Sequence, residues 1–475
     1  MTYIWDWKSH FNNEDPKDIF DCFIAEYLLS DGRGIPEEEK TLEKYKVTSL
    51  DALGMKQQEL FKELPQLYSL FSTIEVPLIP VLLSMEKNGI TLDAQKLASL
   101  GQDVEKLIAE IQVKILKDVG YEINISSPTQ IGTFLVDKLG VPLSKTKTGK
   151  FATNENELLK FRSDFPFIEM LLSYRELTKI KSTYIDSLIS KVDEKSKIHT
   201  TYSQVGVNTG RLSSSQPNLQ NIPVATEQGR KIKECFTASE GKILLSFDYS
   251  QQELRILAHV SQEEKLIQAF NEKKDIHKIT AAQIFKVEYN SVTKEQRYIA
   301  KTINFGVIYG MGSFGMSETL QIPVEEADFF IKEFFTTYPQ IKSYYDTYLK
   351  NAQVNKYAET MMGRRRYVFA FPGQKFMDNA TKRVLMNYPI QGSAAEMTKI
   401  AMNKIYYEFL IEHPDVLMLL QIHDELVFEM DEKDKEYREK IIKGIHDIMV
   451  EACSLTVPVE VGVKTGKKWG ELTLQ

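Results

Sequence analysis

The sequence predicts an α+β protein: a strand-based floor drawn from both halves of the chain, with helical insertions on either side. Three observations carry that expectation. Two short acidic segments, FDYSQQELR at 247–255 and QIHDELVFE at 421–429, each follow or end an apolar run of strand length, Lys242–Phe247 and Val416–Ile422. Between them, KEQRYIAKTINFGVIYG at 294–310 repeats cations and aromatics every four residues, a helical spacing. Upstream, Leu97, Leu100, Val104, Leu107, Ile108, Ile111 and Ile115 recur at helical intervals along a charged stretch from Asp93 to Gly120.

Taken in order, the first seventy or so residues mix aromatics with acidic loops at Asn12–Pro16 and Asp31–Pro36 and end near Pro65, as a small or incomplete unit. A new segment opens at Pro77–Pro80. After the 93–120 helix, Ser127-Pro-Thr-Gln130 starts a second one whose face is Ile131, Phe134, Leu135 and Leu139, and Gly140 stops it. Residues 151–192 are again helical, giving a protruding arm with the loop Ser144–Lys150 near its tip. Short β-like runs and turns begin near Thr200 and lead into the strand before Asp248. Helices dominate from Glu253 to Leu349. Strand character returns near Thr360, at Leu417–Glu429, and at Val457–Val463, where alternation marks a half-buried strand. There is no internal repeat and no low-complexity tract.

The 475 residues, 43% hydrophobic and 26% charged, suit a soluble globular protein of about three units. A net charge of −7 taken alone argues against a nucleic-acid partner, because phosphate neutralisation needs Lys and Arg. Local clusters override the sum: Lys145–Lys150, Arg297 with Lys301, and Gly363–Arg366 are basic. Cys22, Cys235 and Cys453 are widely spaced, which suits a reducing compartment without disulfides or a zinc site. The opening residues lack an apolar leader and no uninterrupted apolar stretch reaches about 18 residues, so the expectation is a cytoplasmic protein away from membranes.

Asp248 and Asp424 are expected at strand ends, where neighbouring strands can bring them together. Two carboxylates about 4 Å apart repel by roughly 4 kcal/mol at an effective dielectric of about 20, so the pair makes sense with cations between them. Oxygen ligands of this kind suit Mg²⁺, which shares its coordination with water and substrate phosphates. Thr293 and Gln296 form a capping box at the start of the intervening helix, and Gly310 supplies its stop. Arg297, Lys301, Phe305 and Tyr309 follow one face. Arg297 lies near the positive end of the helix dipole, where a cation is favourable only beside an anion such as a triphosphate; Phe305 and Tyr309 can then meet sugar and base. The polar stretch 209–223 suits hydrogen bonding to a nucleic-acid backbone, although composition alone describes a polar turn. Arg383, Asn387 and Gln391 repeat the four-residue spacing, Pro389 interrupts, and Ser393 with Glu396 reads as a second capping box.

At these residues the chain resembles family A DNA polymerases. The family's signatures stand in order as DYSQQELR, RYIAKTINFGVIYG and QIHDELVFE, with TGRLSSSQPNLQNIP, GRRRY and NYPIQGSAAE before or between them, and the match runs from about Pro77 to the end. The resemblance implies a right-hand polymerase fold. Residues 76–475 are the polymerase domain, with a thumb at about 85–200, a palm at about 200–268 and 370–475, and fingers at about 269–369. Residues 1–75 are a truncated, exonuclease-like N-terminal unit. It further implies Asp248 and Asp424 as catalytic ligands of two Mg²⁺ ions, replaceable by Mn²⁺, with the Tyr249 carbonyl and Glu425 beside them. Gln251, Glu253, His277, Arg297, Lys301, Phe305 and Tyr309 would bind the incoming dNTP, Lys301 catalytically and Glu253 as the group that rejects a ribose 2′-hydroxyl. Arg211, Asn218, Gln220, Arg383, Asn387, Gln391 and His423 would contact primer-template DNA.

The implied activity is template-directed DNA synthesis by a monomer: a primer 3′-hydroxyl attacks the dNTP α-phosphate and releases pyrophosphate. The chain departs from the family at Gln252, where an aliphatic residue is usual, and at Ala225, where Arg is common. A polar Gln252 beside the sugar gate is expected to loosen nucleotide or template selection, copying of an RNA template included. The N-terminal unit resembles only the tail of a proofreading exonuclease, in WDWKSHF and FDCFIAEYLLSDGRG, without that domain's early paired carboxylates, so no proofreading is expected. No flap-nuclease domain is expected in this sequence either. The rival readings are a single-subunit RNA polymerase, which Glu253 argues against, and a catalytically silent DNA-binding accessory protein, which the joint presence of Asp248, Asp424, Arg297 and Lys301 argues against.

Overall fold

Strands far apart in the chain form one five-stranded sheet in the computed structural model, which describes residues 1–11, 15–30, 32, 34–368 and 378–474. The strands are β1 (Lys242–Tyr249), β2 (Leu417–Ile422), β3 (Glu425–Asp431), β4 (Val461–Gly466) and β5 (Thr473–Leu474), in the order β2-β3-β1-β4-β5. Central β1 runs antiparallel to both neighbours, with Asp248 opposite Glu425 on one side and Gly462 on the other. Strand alternation sets the faces. Ile243, Leu245, Phe247 and Tyr249 of β1 pack with Leu426, Phe428 and Met430 of β3 in the main core, Phe247 meeting Phe428 edge-on at 5.6 Å. Leu244 turns to the opposite face with Leu419, Leu420, Ile422 and Val427. Asp248 belongs by parity to this second face, at the end of the strand.

Several local expectations hold. Ala94–Val119 is helical, capped by Asp93, whose carboxylate accepts from Lys96 N–H, and ended by Gly120 at φ +78°. Ser127 caps Pro128–Asp137. Residues 151–192 are helical in pieces, chiefly Pro166–Lys179 and its continuation Ile180–Asp186. Four helices carry the site: α1 (Gln252–Ser261), α2 (Ile276–Phe285), α3 (Lys294–Ile308) and α4 (Asn379–Lys404). The capping box of α3 is complete, with bonds of 3.0 and 3.1 Å between Thr293 and Gln296.

Two expectations fail. Pro389 does not interrupt the chain and Ser393 starts no helix: α4 runs through both. A mid-helix proline removes one hydrogen bond, but Tyr388, Pro389 and Ile390 are buried and tertiary packing holds the helix together. Ser393 instead accepts a bond from Met361 N–H (3.0 Å). The last alternating run forms a strand only from Val461; Val457 is buried just before it, and the Pro458 carbonyl accepts from Arg255. The loops read at 12–16 and 31–36 lie partly outside the described residues, and the expected palm boundary at 370 wholly so.

Residues 65–88 form one continuous helical run across the expected boundary at 75. Its length and the mean hydropathy of 1.6 over an 18-residue window match a membrane span, yet 61% of that window is buried inside the protein, where it serves as a core helix. At its middle, Glu75 accepts from Arg364, from Lys399 (2.7 Å) and from Gln204 (2.7 Å); Arg364 also donates to Glu396 (2.9 Å), which Thr360 bonds as well. Burial would raise the Glu75 carboxyl, but Lys399 and Arg364 hold it down at about 2. This four-charge cluster joins the N-terminal unit to α4 and to the hairpin Tyr357–Glu359/Arg365–Tyr367. Replacing Arg364 with Met leaves Glu396 without its buried cation and Glu75 with Lys399 alone, and the expected loss is about 3–5 kcal/mol. Urea unfolding measures it; a loss under about 1 kcal/mol would show that the carboxylates find other partners.

Candidate active site

The carboxylate pair is made by sheet geometry. Asp248 is the penultimate residue of β1, and Asp424 sits in the two-residue turn between β2 and β3, beside His423 at φ +56°. Tyr249 N–H donates to the Asp424 carbonyl (3.2 Å), which ties that turn to the end of β1. Burial, together with the nearby Asp424 and Glu425 charges, pushes the Asp248 carboxyl up, and burial raises Asp424 as well. Both shifts are what a cation would reverse. Among the described residues no group of three or more His, Cys, Asp or Glu is arranged to hold a metal. Two carboxylates fit an ion that draws its other ligands from backbone carbonyl, water and phosphate, as Mg²⁺ does.

Glu425 has side-chain partners of its own. Its carboxylate accepts from Ser246 Oγ (2.6 Å) and Trp469 Nε1 (3.1 Å) and faces Lys233 Nζ at 3.7 Å. These contacts tie it into the sheet beside Asp248. Tyr249 is buried, its hydroxyl donating to the Met449 carbonyl (2.8 Å). Arg255 secures the turn after Asp248 by donating to the Ser250 carbonyl (2.8 Å) and to Glu460 (2.7 Å).

Opposite Asp424, α3 closes a cleft of about 590 Å³ lined by Arg297, Lys301, Phe305, Tyr309, His277 of α2, Gln251 and Glu253. Lys301 is exposed and has no hydrogen-bond or ion-pair partner among the described residues. Arg297 donates through Nε to Asp275 (2.6 Å). Burial pushes the His277 imidazole down to about 4, so it is neutral at pH 7. Asn304 Nδ2 lies 2.9 Å from His277 Nδ1, leaving Nε2 for a ligand. Phe305 stacks on Tyr309, centroids 6.4 Å apart.

Glu253 is bridged on both oxygens, by Tyr309 OH (2.8 Å) and by Arg211 Nη2 (2.5 Å). Arg211, expected on DNA, is thus paired within the cleft. Gln220 Nε2 bonds the Gln421 carbonyl (3.3 Å) and Oε1 (3.1 Å), and Gln421 Nε2 donates to the His423 carbonyl (2.6 Å), bracing the turn that presents His423 and Asp424. Asn218 accepts from Gln220 N–H (3.0 Å). Arg383, Asn387 and Gln391 lie on α4 outside the cleft wall. A Cβ at Gly310, φ +64°, would sit 2.8 Å from Arg383 Cα, so α3 ends directly against α4. Buried Asn387 Oδ1 has no hydrogen-bond partner among the described residues.

Gln252 is not an open polar group beside the sugar gate. It is buried, with Nε2 3.2 Å from the Ala394 carbonyl and 3.3 Å from Thr398 Oγ1, and so joins α1 to α4. Sequence reasoning missed Asp275, Asn304 and Gln421. Asp275 had a signal, an Asp directly before a helical run, where its carboxylate caps α2 through Lys278 N–H (3.1 Å). Asn304 and Gln421 had none, because each acts on a group that only folding brings near.

A sheet-borne carboxylate pair faces a cationic helix across a cleft, between two helical regions, the layout of the right-hand polymerase fold. Residues 94–471 match the profile of DNA polymerase family A, and the chain belongs to that family. It is 37% identical to DNA polymerase I of Caldicellulosiruptor bescii, over 99% of this chain and 58% of that protein. It is 42% identical to the thermostable DNA polymerase I of Thermus aquaticus, over 84% and 48%. The chain spans about half the length of the curated relatives it matches. The solved POL domain of Pol1 from M. smegmatis, in complex with DNA primer-template and dNTP, superposes with a TM-score of 0.88 at 33% identity, covering 95% of this chain and 82% of that one.

The two bonds of Gln252 predict coupling across α1 and α4. Gln252→Leu and Thr398→Val should be non-additive by about 0.5–1.5 kcal/mol in a double-mutant unfolding cycle; strict additivity would remove the proposed link.

Proposed function

We propose that this chain is a template-directed DNA polymerase that adds dNTPs to a primer 3′-hydroxyl and releases pyrophosphate. The observation that carries the reading is Asp424, beside Asp248, facing Arg297 and Lys301 across one cleft. Two divalent ions held by Asp248 and Asp424 would activate the primer hydroxyl and neutralise charge on the departing pyrophosphate. Arg297, Lys301 and neutral His277 bind and orient the triphosphate, as phosphoryl transfer requires chiefly positioning and charge stabilisation. Phe305 packs on the sugar. Glu253, immobilised by Tyr309 and Arg211, occupies the volume a 2′-hydroxyl needs. Arg211, Asn218, Gln220, Arg383, Asn387, Gln391 and His423 face primer-template DNA; minor-groove acceptors are alike for all correct pairs and let such contacts test shape. The DNA and dNTP in the M. smegmatis neighbour support both partners.

We also infer that residues 1–75 do not proofread. Asp21, a buried carboxylate of that unit, is committed to accepting bonds from Trp7, Phe23 and Ile24 N–H groups at 2.8–2.9 Å.

Primer extension tests the reading. Wild-type protein with Mg²⁺ should extend a primer with dNTPs and not with rNTPs, and Asp424→Ala should slow extension by about a thousandfold or more, the scale of losing one charge-stabilising group in phosphoryl transfer. Extension that survives Asp424→Ala overturns the metal assignment. Chelation with EDTA should stop the reaction and excess Mg²⁺ restore it. Glu253→Ala should admit rNTPs while keeping dNTP addition; continued exclusion would sink the gate.

A further inference from the structure

Within the polymerase reading, we infer that Asp275 is a positioning residue that fixes Arg297 for the incoming triphosphate. One carboxylate does two jobs. Oδ1 accepts from Lys278 N–H (3.1 Å) and caps α2, while Oδ2 accepts from Arg297 Nε (2.6 Å) on α3. An arginine has five N–H donors in a rigid fork. Engaging Nε leaves the four terminal N–H groups, which can address phosphate oxygens bidentately. The Arg297 side chain is 44% exposed and that of Asp275 31%, so Arg297 borders the cleft while its Nε edge is held.

A second link repeats the arrangement seven residues along α3, where Asn304 meets His277 of α2. Arg297 and His277 are therefore each braced from the neighbouring element, while Lys301, between them on α3, has no partner among the described residues. Asp275 also places a negative charge near the phosphate site, which by itself opposes triphosphate binding. At about 0.2 M salt that exposed, longer-range repulsion is largely screened, whereas the 2.6 Å contact that orients Arg297 is not. Geometry then decides the sign.

Asp275→Ser keeps a good helix cap but cannot reach Arg297; Asp275→Asn has one oxygen for two jobs. In single-nucleotide addition at about 0.2 M KCl, both should raise the KM for dNTP, Ser about tenfold, with kcat within about twofold, the pattern of lost uniform binding. In an Arg297→Ala background, Asp275→Ser should change KM no further. Unchanged KM in both variants would reduce Asp275 to a cap, and a lowered KM would make it a competitor of the phosphate; either overturns the inference. Calorimetric titration with inorganic tripolyphosphate and Mg²⁺ separates the two readings. Weaker binding by Asp275→Ser in a protein that fails to extend primers would refute the polymerase assignment and leave the positioning role standing.

Discussion

The structure turns on two buried carboxylates held close together. Asp248 and Asp424 are unfavourable neighbours in a desolvated site: burial drives both away from ionisation, and the Asp424 charge adds to the effect on Asp248. Such a pair persists only if the backbone over-determines it. Here β1 and β3 pair over seven residues from Asp431 to Glu425, the Asp424 carbonyl bonds Tyr249 N–H, and Arg255 clamps the turn that follows. Glu425 adds its charge beside Asp248 and also strengthens the sheet, because Ser246, Trp469 and Lys233 surround its carboxylate.

The positive wall opposite is built on the same logic with the sign reversed. Arg297 and Lys301 repel one another and favour a cleft that holds an anion. Asp275 and Asn304 fix Arg297 and His277 by bonds between α2 and α3, so the wall moves as one unit if α3 moves. Tyr309 at the end of α3 bonds Glu253 beside the carboxylates, which links the wall to the floor through one hydroxyl. Arg211 completes that bridge from the opposite side.

Farther out, Glu75, Arg364, Lys399 and Glu396 tie the N-terminal unit to the rear of α4, whose front carries Asn387 and Gln391. Side chains in this cluster are at most 3% exposed, so each charge depends on its partners. The unit that resembles a fragment of another domain thereby becomes part of the foundation of α4.

Local pattern made much of this legible. Asp93, Ser127 and Thr293 announce helix starts because capping is settled within three residues, and the Lys242–Phe247 run announces a strand because both its faces are buried. The spacing of Arg297, Lys301, Phe305 and Tyr309 likewise placed four groups on one face, and family signatures around Asp248 and Asp424 named the pair. What the chain alone could not decide was direction. Glu396 reads as half of a capping box and Pro389 as a break; both assignments failed because Arg364 and the packing around α4 lie outside the local stretch, just as Glu425 and Gln252 gain Trp469 and Thr398 from far along the chain. Sequence determined which charges this protein carries and which helices and strands bear them. Tertiary structure alone decided which of those charges face the cleft and which hold the frame, because a carboxylate's role depends on the donors that reach it.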